Sequence, residues 1–209
     1  MDGYQHHRFL LAISVLSCLG LVAGIYLLVT GQVATSDWVS FGVMYVVACL
    51  GVSAGYHRLL SHRAFVPTRF LWYTFALFGT IAGQGPAIIW VAHHRRHHRL
   101  SDHAGDPHSP YNLDDPVAPL TLKGFWHAFM GWLFDRNLTS DPILYCPDLA
   151  KDRGMRFLSN HFVSIVIGGV LLGGVIGWAV GGTVTSFLTG MLWGGADPDV
   201  RGERRYLLR

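Results

Sequence analysis

Polar residues almost vanish from several stretches of the chain, and the lengths of those stretches predict different fates. From Phe9 to Thr30 there are about 20 residues without a charge, enough at a rise of about 1.5 Å per residue to cross a hydrocarbon core of about 30 Å. This run predicts a first transmembrane helix, about 9–30. The alternative is a cleaved signal peptide, whose apolar region is expected to be shorter and to end in small residues. After "GQVATSD" the run from Trp38 to Tyr56 is again uncharged, so a second span, about 38–56, would close a helical hairpin. Phe70 to Val91 differs. Its unbroken part, "FLWYTFALFGTIA", is 13 residues long and is followed by "GQGP", where glycines and a proline interrupt a helix. A stretch that short is predicted to lie at an interface or against other helices without crossing. "FLSNHFVSIVIGGVLLGGVIGWAV" predicts a third span, about 158–180, with glycines suited to close helix packing. "GGTVTSFLTGMLWGG" begins a fourth at 182–195, but its apolar part, about a dozen residues, is roughly half of a crossing.

Composition agrees with a membrane class: 51% of the residues are apolar and 14% charged, a low charge content for a soluble domain. The distribution of charge adds sidedness. Lys and Arg occur at Arg8, then from Arg58 to Arg156, then from Arg201 to Arg209, and segments 9–57 and 157–200 contain none. The turn between the first two spans carries Asp37 and no Lys or Arg, whereas eleven follow between His57 and Arg156. The positive-inside rule therefore places the N-terminus and the region from His57 onward in the cytoplasm. The expected fold is an all-α integral membrane protein of two helical hairpins, the second incomplete. It forms a single domain over 1–209, with a cytoplasmic helical region at 57–156 and an atypical tail at 196–209. Cys18, Cys49 and Cys146 form no disulfide or zinc-type pattern.

Nine of the twelve histidines lie between His57 and His127. Five of them make two spacings: "HRLLSH", with His57 and His62, and "HRRHH", with His94, His97 and His98. Positions i, i+3 and i+4 share a helix face, so His94, His97 and His98 can converge on one site. His57 and His62, five apart, would stand about 140° apart on an α-helix, serving two different metals or sitting where the helix unwinds. Imidazole suits iron, zinc and copper, and it ligates in the neutral form available near pH 7. A basic His-rich rim also attracts anionic lipid. Two clusters on one predicted side, each at the end of an apolar run, favour metal ligation.

"GYHRLLSHRAF", "GQGPAIIWVAHHRRHHRLSDHAGDPHSP" and "GFWHAFMGWLF" resemble the membrane-bound fatty acyl desaturases, in particular their acyl-CoA delta-9 (stearoyl-CoA) branch, over residues 9 to 195. The resemblance implies a di-iron centre that uses O2 to introduce a cis double bond into a saturated acyl-CoA chain held in a bent tunnel. Electrons would come from a ferredoxin-like or cytochrome b5-like donor, and no nucleic-acid partner is implied. It makes His57, His62, His94, His97 and His98 iron ligands, with no catalytic residue beyond them, and places Gln84 and Trp90 along the tunnel. Arg95, Arg96, Arg99 and Arg136 would meet the CoA phosphates in forked geometry, unless they only reflect positive-inside bias. His127 is given a supporting role. His93, standing where the family has an acidic residue, is not counted as a ligand, and His103 and His108 flank the site. His6, His7 and His161 have no motif around them. Tyr45 and Cys49 could cap the tunnel, with ordinary packing as the alternative.

The family also has a third box, "HxxHH", and this sequence has no His after His161. Five imidazoles do not fill two irons, so a truncation or reading-frame change near Gly195 is expected, with an incomplete centre. Two other functions fit less of the pattern: a di-iron alkane or sterol hydroxylase, and a non-catalytic membrane fragment that binds metal or anionic lipid.

Overall fold

The computed structural model describes residue 15 and residues 19–101, 103, 105–107, 109–110, 121–129, 131–134 and 140–192. The tail at 196–209, Arg136, His108, the start of the first predicted span and the end of the fourth lie outside them. Every regular element among the described residues is helical. An apolar helix α1, Leu19–Val29, precedes α2, Thr35–Cys49. Then come α3 (Arg69–Ile81), α4 (Ala87–Leu100), α5 (Leu122–Phe129) and a 3-10 turn at Gly131–Phe134. Three short helices follow, α6 (Pro142–Tyr145), α7 (Pro147–Lys151) and α8 (Arg153–Asn160), and the described chain ends with α9 (Phe162–Gly181) and α10 (Val184–Met191).

The helix begun by α2 does not stop at Cys49. It continues through Leu50–Ser61 as a π-helix, in which each backbone N–H reaches back five residues instead of four. The combined helix Thr35–Ser61, 27 residues, and α9, 20 residues, are long and apolar enough to cross a membrane. The shorter α1 faces the start of α2 across a cleft of about 200 Å³ lined by Leu21, Ile25, Leu28, Trp38 and Phe41. Of the apolar run from Phe70 to Val91, α3 takes the first part. It starts from Thr68, whose hydroxyl accepts from Leu71 N at 3.4 Å, and it ends at Ile81. Gly83 (φ 75°) and Gly85 (φ 123°) then turn the chain with left-handed backbone that residues bearing a Cβ rarely adopt.

Two packing regions result. α9 turns at Gly182 (φ 69°) into α10, and both lie against α2. This contact is made through backbone: a Cβ at Gly177 would run into Ser186, and one at Gly190 into Gly173. Its polar ties are few. Asp37, fully buried, accepts from Ala34 N at 2.9 Å and from the Thr189 hydroxyl at 2.6 Å, and Ser40 donates to the Gly173 carbonyl at 3.1 Å. Most of the apolar side chains of α1, α2 and α9 remain exposed; Leu19, Tyr45 and Trp178 are each more than half exposed.

The second region is a closed core. Tyr56, Leu59 and Leu60 of the π segment meet Ala76 of α3, Ile88, Val91 and Ala92 of α4, and Cys146, Leu149, Met155 and Leu158 from the short helices. The π segment sits so close to α3 that a Cβ at Gly51 or Gly55 would collide with the backbone of Phe78 or Phe75. Tyr56 ties this core together, because its hydroxyl hydrogen-bonds Thr80 at 3.0 Å and donates to the Gly85 carbonyl at 3.2 Å. The histidines stand on this core.

Candidate metal centre

The π segment decides where the first pair of imidazoles points. With five residues closing each turn, His62 N bonds the His57 carbonyl at 3.1 Å, so the side chains lie one above the other and their ring centroids are 4.6 Å apart. Of the two alternatives read from the sequence, local unwinding is the closer to what is observed, because a π turn advances fewer degrees per residue than an α turn. The assumed α-helical pitch was wrong for this segment. α4 supplies the second pair, His94 and His98, four apart on a regular helix, with ring centroids 4.6 Å apart.

The two pairs face each other. One ring nitrogen from each of His57, His62, His94 and His98 lies within 4.8 Å of all the others. His94 Nε2 is 3.4 Å from His62 Nε2 and 3.0 Å from His98 Nε2. Four nitrogens around one first-row metal at about 2.0–2.1 Å would stand roughly 3.3 Å apart in a tetrahedral arrangement. The two short separations are close to that value and the widest, up to 4.8 Å, exceeds it, so the group could hold an ion by drawing in. The charge state fits as well. Burial, followed by the neighbouring imidazoles, pushes His94 down to about 3. His62 is lowered by burial and by His98, and His98 by burial, His97 and His57. At neutral pH the cluster is uncharged, with lone pairs available to a cation.

The other predicted residues are distributed around this group. His97 turns its Nδ1 to the buried Asp106 carboxylate at 2.9 and 3.0 Å, the kind of contact that fixes the orientation of a metal-binding imidazole. It stays outside the four-nitrogen group, with its ring centroid 5.4 Å from that of His98. Trp90 stacks on His94 at 4.8 Å with an 18° tilt and meets Tyr56 at 5.4 Å, so it walls the cluster on the core side. Gln84 is exposed in the turn after α3. Arg95 does not present its guanidinium outward: it pairs with Asp148 through two contacts of 2.7 and 3.0 Å. Arg96 donates to the Gly105 carbonyl at 2.7 Å, and Arg99 is exposed.

His93 bonds Ser140 at 2.9 Å, and His103 donates to the Ser101 carbonyl at 2.7 Å. His127 lies on α5, outside the group, and Tyr45 and Cys49 lie on the exposed face of α2. Sequence reasoning passed over Asp106 as a partner for His97, and passed over Asp148 altogether. A buried carboxylate in "GDPHSP" was a readable signal for the first. For the second the signal was an acid in "CPDLAK" and an arginine directly after each of His62 and His94.

The model of the fatty acid desaturase family matches residues 36–196, and the chain belongs to that family. It is 34% identical over 197 residues to a hex-5-enoyl-[acyl-carrier protein] acetylenase of Moorena producens, covering 93% of this chain and 60% of that one. It is 36% identical over 149 residues to an sn-1 stearoyl-lipid 9-desaturase of Anabaena variabilis, covering 68% and 51%. To a chloroplastic palmitoyl-monogalactosyldiacylglycerol delta-7 desaturase of Arabidopsis thaliana it is 38% identical over 128 residues, covering 60% and 32%. The chain thus spans about 60% or less of the length of these relatives. They are named for acyl chains on acyl-carrier protein and on lipid, so family membership leaves the acyl carrier open.

Proposed function

We propose that this chain carries the metal-binding part of an integral membrane acyl desaturase. The observation that supports it most directly is the convergence of four neutral imidazole nitrogens from two helices within 4.8 Å, in a chain whose family acts on fatty acyl groups. Iron held there would supply the oxidising power that an unactivated methylene needs, since no side chain abstracts such a hydrogen unaided. The overall reaction takes O2, two electrons and two protons, oxidises –CH2–CH2– to a cis –CH=CH–, and releases two waters.

In this reading His57, His62, His94 and His98 hold the first iron. His97, braced by Asp106, serves a second iron together with ligands from beyond the four-nitrogen group. Trp90 shapes the acyl path beside His94, and Gln84 marks its bend. Arg96 and Arg136 meet the headgroup, for which CoA is proposed from the likeness of "GDPHSP" and "HRLLSHRAF" to the acyl-CoA branch. Helices Thr35–Ser61 and α9 cross the bilayer with α1 and α10 alongside, and the histidines face the cytoplasm, where a ferredoxin-like or cytochrome b5-like donor reaches them.

The test is metal content and product together. Full-length chain purified in detergent is expected to retain iron, to lose it in His98→Ala, and, given a reductant and O2, to convert stearoyl-CoA, stearoyl-carrier protein or stearoyl lipid to an unsaturated product. Absence of iron above the level of the His98→Ala variant would sink the proposal, and an alcohol as product would assign a hydroxylase instead.

A further inference from the structure

Two ligand-bearing segments meet at the histidine cluster, and each is followed at once by an arginine: His62 by Arg63 and His94 by Arg95. Both arginines run to the same carboxylate. Arg95 grips Asp148 of α7 with both terminal nitrogens, at 2.7 and 3.0 Å, and Arg63 adds a contact of 2.8 Å. The Arg95 guanidinium also donates to the carbonyls of Leu60 at 2.5 Å, Ser61 at 3.3 Å and Tyr145 at 3.3 Å. Leu60 and Ser61 are the last two residues of the π segment before His62, so one side chain of α4 holds the end of the other histidine-bearing helix.

Arg63 shows the cost of that arrangement. Its φ of 51° is the one left-handed value at a non-glycine residue among those described, a conformation that persists where surrounding contacts enforce it. The ion pair with Asp148 is such a contact. A π-helix of 12 residues is itself unusual, since such turns normally occur singly, and its far end is where a restraint against relaxing to α-helical pitch acts on His62.

We propose that Asp148, with Arg95 and Arg63, is a clamp that sets the spacing between the His57–His62 and His94–His98 pairs, so that Asp148 is a positioning residue for the metal centre. This inference rests on the metal reading above and adds to it the element that keeps the four nitrogens together before a metal arrives. It also assigns Arg95 to the centre's geometry instead of to a substrate phosphate.

Metal-free full-length chain in detergent, titrated with Co(II) and followed by its visible absorption, tests the clamp. Asp148→Asn is expected to weaken Co(II) binding by roughly 10- to 100-fold and to shift the absorption of the bound form, with Asp148→Glu recovering most of the affinity. Arg63→Ala, at an exposed position, should act in the same direction by less, and provides a measurable case if Asp148→Asn fails to fold. Wild-type affinity and an unchanged spectrum in Asp148→Asn would overturn the proposal. If the wild-type chain binds no Co(II), the metal reading itself fails, and the clamp is judged by amide hydrogen exchange over residues 57–63 in metal-free protein. Faster exchange in Asp148→Asn supports it, and equal exchange rejects it.

Discussion

The two ends of this molecule bury apolar surface in different ways. Where α2, α9 and α10 meet, glycines bring backbones together and the large side chains of α9 face outward. Where the π segment meets α3, α4 and the short helices, the large side chains face inward, and Tyr56, Leu59, Leu60, Leu149 and Met155 are fully or almost fully buried. The first arrangement makes sense if the surroundings are as apolar as the helices, because then only close packing and a few hydrogen bonds favour association. The second makes its own apolar interior, and it needs one because it must hold imidazoles in fixed positions beside water. The histidine site is thus built on the part of the chain with a core of its own.

The sharpest way to break this comparison is to overfill the second region. Gly51→Val places a branched side chain where the backbone of Phe78 and Gly79 leaves no room. Overpacking a close contact costs about 1–3 kcal/mol when side chains can yield, and here backbone must move, so the upper end is expected. Thermal unfolding followed in detergent should show a large loss of stability together with loss of metal binding. Gly42, with open space around the position of its Cβ, is the control, and Gly42→Val should change stability little. Equal effects at the two positions would show that the π segment and α3 are not in contact.

Acid should separate the two regions next. His94 ionises at about 3 in the folded chain against an ordinary value of 6.5, so as pH falls the unfolded chain takes up the proton first. Stability contributed by the neutral imidazole is fully present above about 6.5 and is lost progressively toward 3. His62 and His98 shift in the same direction and add to the loss. The contact of α2 with α9 and α10 carries no histidine. Single-tryptophan variants that keep either Trp90, stacked on His94, or Trp178, exposed on α9, are expected to report an early acid transition for the first and a later one for the second. Coincident transitions would mean that the regions unfold as one unit.

The first region was far easier to read from the sequence than the second. Uncharged runs marked α9 and the helix through Thr35–Ser61, and the break at "GQGP" fell where α3 ends, because hydropathy and helix breakers act locally. Within "HRRHH" the shared face of His94 and His98 was legible for the same reason, because α4 is a regular helix, but His97, expected to converge with them, turns to Asp106 instead. The pairing of His57 and His62 was not legible, because the pitch that unites them is imposed by contacts from elsewhere in the chain. Gly51 and Gly55 fit against α3, and Arg95 and Asp148, both distant in sequence, hold the far end. Arg95 shows the same limit from the other side. An arginine beside histidines suggests a phosphate, and only the fold reveals that a carboxylate 53 residues away already occupies it.

The smallest expected effect carries information about the surroundings. Thr189 donates to buried Asp37 at 2.6 Å and ties α10 to the start of α2. Thr189→Val keeps the shape and removes the donor, leaving the carboxylate with the Ala34 amide. In a water-surrounded domain, taking a hydrogen bond from a buried charged group costs about 1.5–3 kcal/mol. Between helices in a bilayer the measured average is nearer 0.6 kcal/mol, because the separated helices still find partners for their polar groups. Reversible unfolding of Thr189→Val in detergent or lipid is expected to give the lower figure, as the outward-facing side chains of α9 imply. A loss near the upper figure would place this contact in an aqueous core and make the exposed apolar surface a covered protein interface.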